Sequence, residues 1–163
     1  MNQAYVPVIA DDMTHGQMAL QIAMGSALML LSILIAGISL WIAETLLRRT
    51  HDWLTREPHG PKMMLMLCVA AVWILGLVTV GVWLWAFLFR ALGVFHSLEA
   101  AVYFALVSFT TLGYGDVLLP PDWRLLGGMA AANGFLTFGL LITMMVDALR
   151  HVRLGQRERK LRE

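Results

Sequence analysis

The stretch Leu98-Glu-Ala-Ala-Val-Tyr-Phe-Ala-Leu-Val-Ser-Phe109, followed at once by Thr110-Thr-Leu-Gly-Tyr-Gly-Asp116, decides how this chain folds. The first part is apolar, but its 12 residues reach only about 18 Å as a helix. That is too short to cross a bilayer. The second part carries two glycines close together, which does not favour continuing the helix. We expect a short helix over Leu98–Phe109, capped by His96 or Ser97, and then an irregular loop.

Three long runs without Asp, Glu, Lys or Arg lie at 13–43, 63–89 and 125–146. They contain 31, 27 and 22 residues, and about 20 apolar residues are enough to cross a bilayer as a helix. The chain is 59% hydrophobic and only 14% charged, which excludes an ordinary water-soluble enzyme. A nucleic-acid partner is excluded as well, because no basic domain exists outside the runs. The sequence therefore predicts an all-α membrane protein.

The runs predict three spanning helices, at 18–47, 63–90 and 123–152. Asp122 follows two prolines and is expected to be the N-cap of the last helix. The short helix at 98–109 and its loop then fall between the second and third spans.

The basic residues predict the orientation. Ten of the twelve Lys and Arg residues lie in 48–62 or 150–163, two segments that share one side of the membrane when the chain spans three times. The positive-inside rule places that side in the cytoplasm. In a plasma or inner membrane, residues 1–17 then form an extracellular tail, 48–62 a basic cytoplasmic loop and 153–163 a basic cytoplasmic tail.

The loop Thr110–Asp116 would lie at membrane depth, where irregular backbone survives only if protein buries it or if it lines water. A short descending helix and an irregular return segment together describe a pore loop. The letters TTLGYGD resemble the selectivity-filter signature TxGYGD of the potassium channel family. The segment Gly134-Phe-Leu-Thr-Phe-Gly139 is similar to the inner-helix pattern of that family. The resemblance thus marks residues 63–152 as a pore domain.

The resemblance implies a homotetrameric channel, rather than an enzyme, that conducts K+ passively and needs no other cofactor. In the family, backbone carbonyls and a threonine hydroxyl from four copies of the loop replace the hydration shell of the ion. The implied partners are K+ ions, membrane lipid and further copies of the chain. Carried over to this sequence, the ion-lining residues are Thr111, Leu112, Gly113, Tyr114 and Gly115, with K+ bound at the first four.

Further roles follow from the same resemblance. Thr110, Val107 and Asp116 would support the filter and its outer mouth. Val107 stands where some bacterial members carry a glutamate, so the hydrogen bonds of Asp116 must differ from theirs. Leu112 replaces the usual Val or Ile, and little loss of selectivity is expected because the carbonyl contacts the ion. Gly134 is the implied hinge of the inner helix.

Two polar residues of the last helix have alternative roles. Asn133 either faces a water-filled cavity or hydrogen-bonds to the short helix. Asp147 either rings the cytoplasmic mouth and attracts cations or is a solvated residue paired with Arg150 or His151.

Three other functions compete with a potassium-selective channel. A weakly selective cation channel would use the same loop, and a non-conducting scaffold or accessory subunit would use only the helices. The residues 113–116 also match the Gly-x-Gly-Asp motif of intramembrane aspartyl proteases. That mechanism needs a second aspartate beside Asp116, and the candidate, Asp147, is expected a membrane thickness away.

The first helix carries no Arg or Lys before Arg48, so an arginine-based voltage sensor is not expected. The 13 residues from 151 to 163 are too few for a ligand-binding domain. Small residues predict that the first helix packs closely on a neighbour. These residues are Gly25, Ser26, Ser32, Gly37 and Ser39.

Overall fold

A computed structural model describes residues 15–54 and 59–160 of the chain. It gives the backbone alone at 47, 48, 50–54, 59–61, 63, 144, 147–149 and 151–160. The predicted extracellular tail, basic loop and basic C-terminal tail therefore lie largely outside the described residues.

The described residues form four α-helices and no strand: α1 (His15–Leu54), α2 (His59–Ala91), α3 (Leu98–Phe109) and α4 (Arg124–Lys160). Three segments are long and apolar enough to cross a membrane. They are His15–Leu46 in α1, Met64–Ala91 in α2, and Pro121–Thr143, which includes most of the apolar part of α4. The fold is thus the predicted all-α membrane class.

The helix boundaries follow the sequence pattern closely at α3 and less closely elsewhere. α3 covers the predicted residues, whereas α1 and α4 continue beyond positions 47 and 152 into polar sequence. Apolar length sets only the minimum length of a spanning helix, since each added residue extends the existing hydrogen-bond ladder. Asp122 is not the N-cap of α4, because Pro121 starts a 3₁₀ turn over Pro121–Trp123 and α4 begins after it.

α3 is fixed at its start by a serine cap. The side chain of Ser97 accepts a hydrogen bond from the backbone N–H of Ala100 at 3.1 Å. Glu99 lies in the first turn, where a negative charge is favourable next to the positive end of the helix dipole. Of the two capping candidates in the sequence, Ser97 is the one used.

Aromatic rings hold α3 against α2. The Phe89 ring of α2 packs edge-on against Phe104 of α3, with ring centroids 5.3 Å apart. Phe95, in the connecting turn, lies 5.4 Å from Phe104 and completes the cluster. Phe89 is fully buried, and edge-to-face pairs add stabilisation beyond area burial. The cluster fixes the direction in which α3 runs.

α1 packs in parallel with α4 and antiparallel to α2. Ser32 of α1 contacts Asn133 of α4, and Ser39 accepts a hydrogen bond from the Trp73 indole of α2 at 2.7 Å. Of the small residues predicted to allow close packing, Ser32 and Ser39 thus contact neighbouring helices. A Cβ added at Gly37 would meet nothing within 4 Å, so this glycine is not used for packing within the chain.

Candidate functional site

The segment Thr110–Asp116, called the signature loop, leaves α3 through a tight turn. The N–H groups of Leu112 and Gly113 both donate to the carbonyl of Val107, at 3.0 and 3.3 Å. The Thr110 hydroxyl donates back to Leu106 at 2.8 Å, and the Thr111 N–H donates to Ser108 at 2.9 Å. The last turn of α3 therefore binds the first residues of the loop.

The backbone of the signature loop alternates in handedness. Thr111, Gly113 and Gly115 have φ values of 59°, 58° and 76°, and among the described non-glycine residues only Thr111 has a positive φ. Leu112 and Tyr114, between them, therefore have negative φ. A positive φ costs glycine almost nothing, but it is an outlier for a β-branched residue such as threonine. Such strain persists where the surrounding structure holds it and is concentrated at functional sites.

The signature loop is exposed in the single chain. Each residue from Thr111 to Asp116 is exposed, with Leu112 at 55% and Tyr114 at 69% of their full accessible area. The loop lies between two candidate spans, where unpaired backbone groups in contact with lipid are costly. One chain thus leaves its irregular segment without a partner surface.

Asp116 ends the signature loop and is tied back to α3. Its Oδ2 accepts a hydrogen bond from the Tyr103 hydroxyl at 2.5 Å, and its Oδ1 accepts one from the Val117 N–H at 3.0 Å. The Tyr103 hydrogen bond lowers the pKa of Asp116, because it favours the charged carboxylate, while desolvation partly opposes this. Since the folded-state pKa is depressed, this stabilisation is present above the unfolded value of about 3.9 and is lost as the pH falls through the folded value.

Phe109, the residue directly before the signature loop, is packed on three sides. A Cβ at Gly81 of α2 would lie 2.6 Å from the Phe109 ring, and a Cβ at Gly134 of α4 would overlap the Phe109 carbonyl. The Phe138 ring lies 6.2 Å from the Phe109 ring. Two glycines thus let two spanning helices close on the end of α3. The structure assigns Gly134 to this close approach, and the hinge role remains a prediction.

The structure places the other predicted site residues as follows. Asn133 is fully buried and donates from Nδ2 to Ser32 of α1 at 2.9 Å. Within the chain, this hydrogen bond is to α1 and not to the short helix, and whether Asn133 faces the cavity of a channel stays a prediction. Val107 is buried and binds the loop through its carbonyl. The backbone of Asp147 belongs to α4, and its side chain is outside the described atoms.

Three features of the site were missed by the sequence reasoning. Tyr103 is a hydrogen-bond partner of Asp116, and its position one turn before Val107 was the available signal. The junction at Phe109 brings together α2, α3 and α4, so no local pattern could reveal it. The positive φ of Thr111 had no signal, since threonine ordinarily avoids it.

The described residues contain no group of three or more His, Cys, Asp or Glu side chains placed to hold a metal ion. The oxygen atoms that the signature loop can offer to a cation are backbone carbonyls, hydroxyls and, at its end, the carboxylate of Asp116. Hard monovalent cations are bound in proteins by rings of such carbonyls.

Comparison with known proteins agrees with this geometry. The profile of a family described as ion channel matches residues 64–151, which is more than half of the chain. The Potassium voltage-gated channel protein shk-1 of Caenorhabditis elegans is 41% identical over 58 residues, which is 35% of this chain and 11% of that protein. This chain thus covers only a small part of that relative. No solved structure gives a significant match. The family match includes α3, the signature loop and most of the two helices around them, so the chain belongs to the ion channel family, of the potassium channel type.

Proposed function

We propose that four copies of this chain form a potassium-selective channel, with the four signature loops around a common axis. The observation that carries the proposal is the alternation of positive and negative φ from Thr111 to Gly115 in an exposed segment. A chain that alternates in this way turns successive carbonyl oxygens to the same side. Four such rows, facing each other, would replace the hydration shell of K+.

The exposed face of α4 supports the assembly. The residues Gly128, Ala132, Phe135, Gly139 and Ile142 are exposed and recur at intervals of three or four. Residues at this spacing share one side of a helix. The side is apolar and contains three small residues, as expected where helices from different subunits approach each other or line a pore. In the proposed tetramer this face of α4 is turned towards the axis.

Two charges complete the conduction path. The C-terminal end of α3 carries a partial negative charge directly below the loop, and Asp116 carries a full one at its far end. Both favour a cation near the pore. The distribution of Lys and Arg supports an orientation with Asp116 and the N-terminus outside and the C-terminus in the cytoplasm.

The test is ion flux in liposomes that contain the purified protein and a potassium gradient. We expect flux that barium blocks and that favours K+ over Na+. Equal permeability of K+ and Na+ would identify a weakly selective cation channel instead. Absence of flux, with tetramers present, would identify a scaffold or accessory subunit.

Two glycine variants separate the loop from general stability. Gly113→Ala forces a Cβ on a residue at φ 58°, and Gly93→Ala forces the same strain at φ 70° in the turn between α2 and α3. Each variant carries a backbone cost of about 1–2 kcal/mol. We expect Gly113→Ala to abolish selectivity or conduction and Gly93→Ala to leave the selectivity unchanged. Equal selectivity in the wild type, Gly113→Ala and Gly93→Ala would contradict the assignment of the signature loop as the selectivity filter.

A further inference from the structure

Helix α1 precedes the pore domain, and it holds the N-terminal half of α4 by hydrogen bonds at two levels. The Gln21 amide donates to the backbone carbonyl of Asp122 at 2.5 Å, just before α4 begins. Further along, the Asn133 amide donates to the Ser32 hydroxyl at 2.9 Å. Both Gln21 and Ser32 are buried.

Between these two levels the helices are in close contact. A Cβ at Gly25 would overlap the sulfur atom of Met129, so glycine permits this approach. The three α1 residues in these contacts all face the segment 122–133. We call them the α1 brace: Gln21, Gly25 and Ser32.

The Ser32–Asn133 hydrogen bond joins α1 and α4 where both side chains are buried. Ser32 uses its own proton to donate to the Leu28 carbonyl at 2.9 Å, which leaves its oxygen free to accept from Asn133. The Asn133 side chain is fully buried within a spanning segment. Loss of the Ser32 acceptor would remove this partner from the Asn133 amide, and an unpaired buried amide carries a desolvation cost. The bond therefore fixes the rotation of α4 relative to α1.

That rotation bears directly on the signature loop. Asn133 is followed by Gly134, the residue whose missing side chain leaves room for the Phe109 carbonyl. Phe109 in turn is the last residue of α3 before the loop. A contact made on α1 thus reaches the loop through three consecutive neighbours.

We propose that Ser32 and Asn133 are positioning residues of the pore, through which α1 keeps Gly134 seated against Phe109. This inference rests on the proposed channel function. It assigns α1 a role in conduction. The signature loop is held in its conducting geometry only while Gly134 is seated.

The experiment is single-channel recording of Ser32→Ala in lipid bilayers. We expect the open probability to fall about fivefold, the size of effect that one net hydrogen bond has on an equilibrium, with unitary conductance and tetramer yield unchanged. Ser39→Ala is the matched control, because it removes the same hydroxyl from the same helix but faces Trp73 of α2. We expect Ser39→Ala to keep the wild-type open probability.

Rescue distinguishes positioning from a loss of stability. Ser32→Thr keeps the hydroxyl, and the exchanged pair Ser32→Asn with Asn133→Ser keeps a donor and an acceptor; we expect both to recover most of the open probability. Additive effects of Ser32→Ala and Asn133→Ala, or equal effects of Ser32→Ala and Ser39→Ala, would overturn the proposal. If the wild type conducts and Ser32→Ala keeps its open probability, the positioning role is wrong but the channel function is not. A wild type without flux would overturn the channel function itself and this role with it.

Discussion

The α1 brace lies within a candidate spanning helix and the signature loop lies between two such helices, and the single chain treats the polar groups of the two regions in opposite ways. In the brace, a buried amide finds its hydroxyl acceptor within the same chain. In the loop, the residues from Thr111 to Asp116 are exposed and one of them is strained. One chain thus supplies the partner of the buried Asn133 amide by itself, whereas it leaves the signature loop uncovered. In the proposed tetramer, conduction belongs to the part that a single copy does not bury.

The largest expected effect comes from the residue that joins the two regions. Gly134→Ala places a Cβ on the Phe109 carbonyl, a backbone atom that cannot turn aside. We expect a cost above about 3 kcal/mol, beyond ordinary overpacking, and loss of both K+ flux and tetramer. Flux in liposomes and size-exclusion chromatography in detergent measure the two.

Gly76→Ala is the control for this substitution, because a Cβ there meets nothing within 4 Å in the chain. We expect Gly76→Ala to assemble and conduct as the wild type does. Normal conduction by Gly134→Ala would show that α4 can shift away from α3 without harm to the loop, and it would remove the link between the brace and the loop.

Gly81→Ala tests the other side of the same junction. Its Cβ would lie 2.6 Å from the Phe109 ring, which is a side chain and can move, although it is fully buried. We expect about 1–3 kcal/mol of destabilisation and a partial loss of flux. The double variant with Phe109→Leu, which shortens the side chain that is hit, should recover thermal stability in detergent. Failure to recover would place the strain elsewhere.

Tyr103→Phe addresses the far end of the loop through its pH dependence. In the wild type the Tyr103 hydroxyl lowers the pKa of Asp116, so we expect flux to stay constant as the outer pH falls and to decline only below the ordinary titration range of an aspartate. Without the hydroxyl the pKa of Asp116 rises, and the decline should begin at a higher pH. Flux measured against outer pH gives both midpoints.

His96→Gln serves as the comparison for that titration, since His96 is an exposed titratable residue just before α3. We expect it to leave the acid midpoint unchanged. If His96→Gln shifts the midpoint and Tyr103→Phe does not, the acid response belongs to His96 and its assignment to Asp116 is wrong.

The smallest effect is expected within the brace itself. A Cβ at Gly25 meets the flexible end of Met129, which can choose another rotamer, and it lies 3.2 Å from a terminal methyl group of Leu126, which must give by a few tenths of an ångström. Alanine also gains about 1 kcal/mol of helix propensity over glycine, which offsets the displacement. We expect Gly25→Ala to match the wild type within about 1 kcal/mol in thermal stability and to keep its open probability. A loss of stability as large as that of Gly134→Ala would mean that the side chains of α4 cannot rearrange to accept a Cβ on α1.

The sequence was sufficient where the deciding physics is local. Charge-free runs predicted the spans, and the length of 98–109 predicted a helix too short to cross. The role of Asn133 could not be predicted, because its partner Ser32 is 101 residues away and several polar groups could have served. Tyr103 was missed for a similar reason. An aromatic residue on an apolar helix is normally a packing residue, and the sequence does not show which group its hydroxyl contacts.

The hydrogen bond between Tyr103 and Asp116 closes a ring in the chain, since it joins two side chains 13 positions apart. About half of that ring is the rigid C-terminal half of α3, so only the signature loop within it can fluctuate. Closing a short segment at both ends removes most of its conformational entropy before any partner arrives. In the proposed tetramer, each subunit would therefore bring a preformed loop to the assembly, and association of four copies would cost little free energy for ordering it.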